Sequence, residues 1–338
     1  MRFGYWTPIF GSWLRNVPDP EPEQFSDLVA LAQKAEEVGF ELTLIPELHL
    51  NDIRGVHGPV RDAWAVTAAL AAVTSKLEIM TALRPSFHPP ELTARKLTTI
   101  QEIAQGRLSL NIVSAWWQEE ARQFGAEFKA HDDRYAVTEE YVSVLQGLWR
   151  ESPFTHSGAH YSIDGTIVEP KPLAEPVIYA GGESPAGRAS ISRFADAYVT
   201  HGGTPEELRV KIADLTARRE AAGRAPFTEF GMATYVIVRD TEDEAQAELA
   251  RITDVSEGAA YDSYQQFIQK SSLDVAIDLK DYSVSNRGLR PNLVGTPQQV
   301  ADRIREFEDA GVDLLLIQAH PMIDEVERIG NDVIPLLG

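Results

Sequence analysis

The segment Gly181-Gly182-Glu183-Ser184 joins a strand-like run to a helical one. Glycines let a backbone approach an anion, and free N–H groups together with the Ser184 hydroxyl can hold a phosphate at the positive end of a helix. The same residues also fit a tight turn in which Ser184 only caps the helix. A phosphate site on Gly182 and Ser184 is therefore one of two open interpretations.

Arg134 and Tyr135 stand at the start of another helical run, after His131-Asp132-Asp133. A guanidinium and a phenol can bind phosphate through charge-assisted and hydroxyl hydrogen bonds. Asp132 or Asp133 would also serve as an ordinary helix N-cap, so local structure explains part of this run.

Asn111 interrupts the apolar run 108–113 near its end. A buried amide needs hydrogen-bond partners. Neighbouring strand-end backbone could supply them, and so could a heterocycle that carries both donors and acceptors.

The histidines His49, His57, His201 and His320 could be metal ligands or acid–base groups. No His-x-His follows the first strand-like run and no His-Glu-x-x-His occurs, so a metal hydrolase is disfavoured and no metal site is predicted. Aromatic side chains such as Trp6 and Trp13 instead favour a flat aromatic cofactor.

Short β-type runs alternate with longer helical ones along the whole chain, which requires parallel strands with right-handed crossovers. Eight such units favour a single (β/α)8 TIM barrel of the α/β class over an open sheet. The predicted strands are 3–9, 42–45, 77–83, 107–113, 177–180, 197–200, 229–238 and 313–318.

Two stretches break this rhythm. Residues 150–176 look like an inserted hairpin, and the polar stretch 255–292 looks like a functional lid or a disordered loop. We expect one domain, 1–338, decorated by these insertions.

The composition excludes several function classes. The 338 residues include 31 Lys+Arg and 51 Asp+Glu, a formal charge of −20 that disfavours nucleic acid and anionic membranes. There is no cysteine, so disulfides and thiolate chemistry are excluded. No apolar run reaches the ~18 residues of a spanning helix, and Met1 to Trp6 is typical of a strand rather than a signal peptide. A cytoplasmic protein is expected.

Several motifs together resemble the bacterial-luciferase-like flavin monooxygenases, closest to the reduced-flavin-dependent alkanesulfonate, dimethylsulfone and pyrimidine monooxygenases. The resemblance covers essentially the whole chain. It is carried by Ala82-Leu83-Arg84-Pro85-Ser86, Gly106-Arg107, Asn111-Ile112-Val113-Ser114, the 131–135 run, Gly181-Gly182-Glu183-Ser184 and Gly295-Thr296-Pro297.

This resemblance implies a homo-oligomer (dimer or tetramer) that receives reduced FMN from a separate NAD(P)H-dependent flavin reductase. Reaction with O2 would give a peroxyflavin that oxygenates a small organic substrate. The implied flavin contacts are Glu47, Leu48, Asn111 and Glu120, and the implied phosphate contacts are Arg134, Tyr135, Gly182 and Ser184. Glu120 rests on the resemblance alone.

The departures from the family pattern bear on the substrate. The alkanesulfonate enzymes carry an Arg and a His on the seventh strand where this chain has Ala233 and Tyr235. Losing the Arg removes a bidentate anion clamp, which favours a neutral substrate such as a sulfone. Arg287 or Arg290 could still place one positive charge over the site. The pyrimidine-type relatives carry a Thr where this chain has Ala82.

For catalysis, the sequence predicts His201, His320 and Tyr235 as substrate-side proton donors or hydrogen-bonding groups, with Arg287 nearby. Ordinary strand-end packing is the alternative for each. A deazaflavin-dependent oxidoreductase and a non-catalytic flavin-binding protein are the other functions open on this fold.

Overall fold

Eight parallel strands close into a barrel in the computed structural model, which describes residues 1–15, 24–114, 117–127, 131–254, 280, 283–284 and 288–338. In chain order the strands are β1 (Arg2–Trp6), β2 (Leu42–Ile45), β3 (Glu78–Leu83), β4 (Leu108–Ile112), β5 (Phe154–Ser157), β6 (Ser162–Thr166), β7 (Ile178–Ala180), β8 (Ala197–Thr200), β9 (Phe230–Val238), β10 (Leu293–Gly295) and β11 (Leu314–Gln318). The barrel runs β1-β2-β3-β4-β7-β8-β9-β11 and closes between β11 and β1. The predicted (β/α)8 barrel is confirmed.

Helices follow the barrel strands and cover the outside. They are α1 (Phe25–Glu37), α2 (Ala63–Val73), α3 (Pro90–Ile103), α4 (Gln118–Gln123), α5 (His131–Arg150), α6 (Pro185–Phe194), α7 (Pro205–Ala221), α8 (Glu242–Thr253), α9 (Pro297–Asp309) and α10 (Met322–Asp332), with 3-10 turns at Pro85–Phe87 and Ile334–Leu336. Thr204, Thr241 and Thr296 cap α7, α8 and α9 in reciprocal capping boxes, so the sequence itself marks where these helices begin.

Residues 150–176 contain the antiparallel hairpin β5–β6, as predicted. The short helix α4 and the strand β10 were not predicted; β10 extends the sheet outward by pairing with the second half of β9. Most of the stretch 255–292 lies outside the described residues. Its described parts contact the loop after β1 and the strand β9, since Val284 pairs with Leu14 and the Tyr235 N–H donates to the Gly288 carbonyl at 2.7 Å.

The barrel has two apolar layers. A small cluster fills its inside, formed by Leu42, Leu44, Met80, Tyr179, Ala197, Val199, Leu314 and Leu316. A larger cluster lies between the strands and the helices. Successive strand residues point to opposite faces, so one strand supplies both layers and reads as a continuous apolar run.

Charged groups close the amino end of the barrel. Arg2 Nη2 donates to Glu78 at 2.8 Å, and Arg2 Nη1 lies 3.1 Å from Glu229. The Tyr179 hydroxyl donates to the same Glu229 at 2.8 Å. Arg2 thus bonds both carboxylates at the amino end, and the carboxyl ends of the strands form the opposite face.

Glu36 at the end of α1 fixes the entry into β3. Its carboxylate accepts N–H bonds from Ser75, Lys76 and Leu77 at 2.7–2.9 Å and the Ser75 hydroxyl at 2.7 Å. Burial alone would raise the pKa of Glu36, but the bonds from Lys76, Ser75 and Leu77 outweigh it and lower the pKa to about 2.

Replacing Glu36 by Gln should destabilise the fold at pH 7, by about 1–3 kcal/mol, because charge-assisted bonds are lost. A carboxyl with a depressed folded-state pKa contributes stability that is complete above its unfolded pKa of 4.5 and is lost as pH falls toward 2. The difference in melting temperature between wild type and Glu36→Gln should therefore shrink below pH 4.5. The exposed neighbour Glu37, changed to Gln, is the control; an equal effect of both changes at pH 7 would contradict this role for Glu36.

Candidate functional site

The carboxyl ends of the barrel strands lie on one rim, which is where barrels of this kind bind ligands. Several residues that the sequence selected follow these strands within four positions. Glu47 follows β2, Ser184 follows β7, His201 follows β8 and His320 follows β11.

Ser184 and Tyr135 form a hydroxyl pair at the start of α6. Ser184 caps this helix by accepting the Gly187 N–H at 3.0 Å, and its Oγ lies 3.1 Å from the Tyr135 hydroxyl. A Cβ on Gly187 would stand 2.9 Å from the Tyr135 hydroxyl oxygen and 3.2 Å from Ser184 Oγ, so a larger residue would crowd both hydroxyls. We call Tyr135, Ser184 and Gly187 the hydroxyl cradle. The helix N-terminus behind it favours an anion.

The turn before the cradle is fixed by its glycines. A Cβ on Gly181 would lie 2.6 Å from the Val199 carbonyl oxygen, so only glycine lets β7 leave the barrel so close to β8. The Gly182 carbonyl accepts a hydrogen bond from the Tyr198 hydroxyl at 2.9 Å, which holds the turn against β8.

One cation pairs with the Glu183 carboxylate beside the cradle, and a second stands next to Tyr135 in the sequence. Lys211 of α7 donates to Glu183 at 2.7 Å and to the Thr200 hydroxyl at 2.7 Å. Arg134 lies in the first turn of α5, next to Tyr135, and lines a cavity of about 470 Å³ with Phe87, Phe124 and His160. The cradle is thus locally suited to an anion despite the acidic chain.

Asn111 lies inside the rim near the end of β4, between Ala82 and Tyr179 of the adjacent strands. Its side chain is buried, and its Oδ1 has no hydrogen-bond partner among the described residues. An unpartnered buried amide oxygen is uncommon and fits a missing ligand with a donor. Together with the cradle, it fits a group that carries both a heterocycle and a phosphate.

Arg84, the first residue after β3, is enclosed by two carboxylates. Its guanidinium pairs with Glu120 through both terminal nitrogens, with Nη2 to Oε1 at 3.3 Å, and its Nε lies 3.6 Å from Glu47. Glu120 also accepts the backbone N–H groups of His49 and Leu50 at 2.5 and 3.3 Å. This Arg84 cluster joins the loop after β2, the end of β3 and helix α4.

Glu47 connects the Arg84 cluster to Trp64 and His88. It accepts the Arg84 N–H and the Trp64 indole N–H, each at 2.9 Å, and lies 2.6 Å from His88 Nε2. Burial alone would raise the pKa of Glu47, but the bond from His88 and the charge of Arg84 lower it. Glu47 is thus held as a carboxylate.

His49 lies between two aromatic rings. Its ring centroid is 4.6 Å from that of Phe87 and 4.8 Å from that of Phe124. Burial, followed by the charge of Arg84, lowers the pKa of His49, so its ring is neutral at pH 7. It packs as an aromatic group in the loop that carries Glu47 and Leu48.

The predicted flavin contacts therefore fall into two groups. Tyr135 and Ser184 are brought together, and Asn111 presents an unpartnered oxygen at the same end of the barrel. The carboxylates of Glu47 and Glu120 are instead bonded within the Arg84 cluster, and Leu48 packs partly buried on the core.

The predicted catalytic residues are not all brought together. His320 Nδ1 lies 3.4 Å from the Ser12 hydroxyl, and His201 is half-buried after β8. Tyr235 is buried in the outer layer, where its phenol faces Glu248 of α8 and Glu325 of α10; burial and these charges raise its pKa. Arg287 lies outside the described residues, and Arg290 pairs with Glu207.

Sequence reasoning did not select Gln318 as a candidate site residue, and it did not predict that Arg84 pairs with two carboxylates. Arg84 follows an apolar strand directly before a proline, and Gln318 ends the run Leu314-Leu315-Leu316-Ile317. A polar residue that ends an apolar strand was the signal that selected Asn111, and it would have selected these two. Across the described residues, no group of three His, Asp or Glu side chains could hold a metal ion.

Replacing Glu120 by Gln should lower the free energy of unfolding by about 3 kcal/mol, because Arg84 would lose a buried partner. The amides of His49 and Leu50 should also exchange with deuterium faster, since Glu120 accepts both. Glu119→Gln on the exposed face of α4 is the control, because Glu119 is exposed and bonds Arg122 and Gln123 of its own helix. Wild-type exchange of both amides in Glu120→Gln would contradict this.

Comparison with known proteins gives the family. The luciferase-like monooxygenase family model matches residues 1–314. The FMNH(2)-dependent dimethylsulfone monooxygenase of Pseudomonas fluorescens (strain Pf0-1) is 33% identical over 350 residues, covering all of this chain and 94% of the relative.

Two solved structures show the same fold. A long-chain alkane monooxygenase superposes with a TM-score of 0.85 at 21% identity, covering all of this chain and 91% of that chain. An F420-dependent secondary alcohol dehydrogenase superposes with a TM-score of 0.76 at 19% identity, covering all of this chain and 99% of that chain.

The described residues contain no helix long and apolar enough to cross a membrane. The family model spans most of the barrel, and the relative matches the chain from end to end. The chain belongs to the luciferase-like monooxygenase family.

Proposed function

We propose that this chain is a two-component monooxygenase that uses reduced FMN and O2 to oxygenate a small neutral organosulfur compound, such as dimethyl sulfone. The hydroxyl cradle at the start of α6 is the observation that carries the cofactor assignment. The name of the 33% identical relative supports both the cofactor and the substrate class.

The cradle would hold the FMN phosphate through Tyr135, Ser184 and the N-terminus of α6, with Arg134 adding charge. Asn111 would face the isoalloxazine ring with its unpartnered oxygen. We assign Glu47 and Glu120 an indirect part, since their carboxylates hold the loop whose backbone and Leu48 would border the ring.

Reduced FMN, when bound, supplies the electrons that activate O2. The residues of this chain would then exclude water and deliver protons. His320, held at its Nδ1 side by Ser12, and His201 are the proposed proton donors at the rim. Tyr235 is the weaker candidate, because burial and the Glu248 and Glu325 charges raise its pKa.

Charge balance at the rim supports a neutral substrate. Ala233 lies on β9 where the alkanesulfonate enzymes carry an arginine. The Arg84 guanidinium is hydrogen-bonded to Glu120 and ion-paired with Glu47, and Arg290 is ion-paired with Glu207, so both guanidiniums already have carboxylate partners. A sulfonate would need a cation that is not already neutralised.

A deazaflavin-dependent oxidoreductase is the second candidate, and the likeness to the F420-dependent dehydrogenase favours it. An anaerobic titration separates the two. Tight binding of reduced FMN, with an oxygen-dependent change in its spectrum, supports the monooxygenase. Binding of F420 without binding of reduced FMN would overturn it. Binding of reduced FMN with no turnover of any sulfur compound would instead point to a flavin-binding protein.

A separate NAD(P)H-dependent flavin reductase is the proposed partner, because the 33% identical relative is named for its dependence on FMNH(2), which must be supplied in reduced form. The homo-oligomer, its dimeric or tetrameric size, the single domain 1–338 and the cytoplasmic location stay predictions from the sequence.

Tyr135→Phe should weaken binding of reduced FMN about tenfold or more, because a hydrogen bond to a charged phosphate is lost. Binding of reduced riboflavin, which has no phosphate, should not change. Thr204→Ala, which removes the cap of α7, is the control for a purely structural effect. Equal losses for FMN and riboflavin, measured by anaerobic fluorescence titration, would place Tyr135 outside the phosphate site.

His320→Ala should leave the affinity for reduced FMN unchanged and lower kcat by about a hundredfold, the scale of one general acid. Ser12→Ala should give a smaller loss, since it removes only the group beside His320. Stopped-flow turnover with dimethyl sulfone measures both. Wild-type kcat in His320→Ala would remove His320 from the mechanism.

A further inference from the structure

Gln318, the last residue of β11, is fully buried, and neither its amide nitrogen nor its amide oxygen has a partner among the described residues. An amide with no bond on either side is costly to bury, and it is uncommon in folded proteins. A bound ligand that hydrogen-bonds the Gln318 amide would offset the free-energy cost of burying it.

The register of β11 places Gln318 inside the barrel. Residues two apart on a strand share a face, and Leu314 and Leu316 belong to the cluster that fills the barrel interior. Gln318 therefore follows Leu314 and Leu316 on the inner face of β11 and lies at the carboxyl end of the barrel, where ligands bind.

Two indole groups lie close to Gln318. Trp6 ends β1, whose Tyr5 pairs with Ile317 of β11, so Trp6 and Gln318 are neighbours across the two strands. Trp13 packs edge-to-face on Trp6 with ring centroids 5.4 Å apart. Both Nε1 atoms are buried without a partner in the described chain. We call Trp6, Trp13 and Gln318 the donor wall.

The donor wall faces the hydroxyl cradle across the barrel. In the closed order β1-β2-β3-β4-β7-β8-β9-β11, the cradle follows β7 and the donor wall follows β11 and β1, on the far side of the ring. A cofactor anchored at the cradle would leave the donor wall to the substrate.

We propose that the donor wall is the subsite that binds the sulfonyl oxygens of a neutral sulfone, an inference that rests on the proposed function. A sulfone offers two acceptor oxygens, no donor and two apolar carbon groups. Two indole N–H groups and one amide NH2 supply donors for these oxygens, and the indole rings supply apolar surface for the carbons. Because all three donors are uncharged, they suit a neutral ligand better than a sulfonate anion.

Gln318→Leu tests the donor wall, since leucine keeps a similar volume and removes both amide atoms. The KM for dimethyl sulfone should rise about tenfold or more, because a group that bonds the ligand is lost. Affinity for reduced FMN should stay unchanged, and the melting temperature should stay equal or rise, because no satisfied bond is broken. Trp13→Phe, which removes one N–H and leaves a smaller aromatic ring, should raise KM by a smaller factor.

Gln101→Leu is the matched control. Gln101 is also a fully buried glutamine, but its amide donates to the Ala174 carbonyl and accepts the Leu108 N–H, each at 2.9 Å. Its replacement should lower the melting temperature and leave the KM for dimethyl sulfone unchanged. The two glutamines should thus show opposite patterns of stability and substrate recognition.

Binding and turnover are measured separately, so that the two proposals can fail separately. Dimethyl sulfone should alter the tryptophan fluorescence of the FMN-loaded wild type, and Gln318→Leu should lose this response at the same concentrations. Such binding without turnover would overturn the proposed function and keep the donor wall. Unchanged KM and fluorescence response in Gln318→Leu, or methanesulfonate binding as tightly as dimethyl sulfone, would overturn the donor wall.

Discussion

The buried contact between Arg84 and its two carboxylates is the constraint on which the rim depends. Neither the guanidinium nor the Glu120 side chain reaches solvent, so each would be very costly to bury alone. The bonds can form only if the end of β3, the loop after β2 and the helix α4 meet in one arrangement. Because the buried charges require these bonds, the cluster fixes the position of the segment 47–50, which borders the proposed flavin site.

The two ends of the barrel use charge differently. At the amino end, Arg2 is bonded to Glu78 and Glu229, and Glu36 accepts three backbone N–H groups from the chain entering β3. Each of these charged groups has at least one oppositely charged or N–H partner, and these contacts stabilise the fold. At the carboxyl end, Asn111 and Gln318 are buried with incomplete bonds, and the helix N-terminus at Ser184 points its N–H groups toward the rim. The amino end thus contributes stability, whereas the carboxyl end combines the stabilising Arg84 cluster with buried polar groups that lack bonds.

The sequence predicts the eight barrel strands because each is a short apolar run, and helices with marked starts follow them, as at Thr204 after β8 and Thr241 after β9. It also selects Tyr135 and Ser184, although 49 positions separate them, because each stands at a helix start where phosphate binding has a local signal. The direction of Tyr235 could not be predicted, since it depends on α8 and α10 packing behind β9. The burial of Glu120 could not be predicted either, because its partner Arg84 lies on another element and α4 carries little periodicity of its own.

A buried polar atom without a bond gives a different kind of information from one that is bonded. Gln101 and Gln318 are the same residue type at the same burial, yet one amide joins two segments of the fold and the other joins none that the structure describes. Burial of Gln101 is explained by the bonds it makes within the fold. Burial of Gln318 lowers folding stability, because its amide makes no such bonds. Four of the buried groups without bonds, Asn111, Gln318, Trp6 and Trp13, stand at or beyond the carboxyl ends of β4, β11 and β1, where a bound ligand would offset their shared cost. Their chemistry, amides and indole N–H groups without charge, then restricts what that site can hold more closely than the fold does.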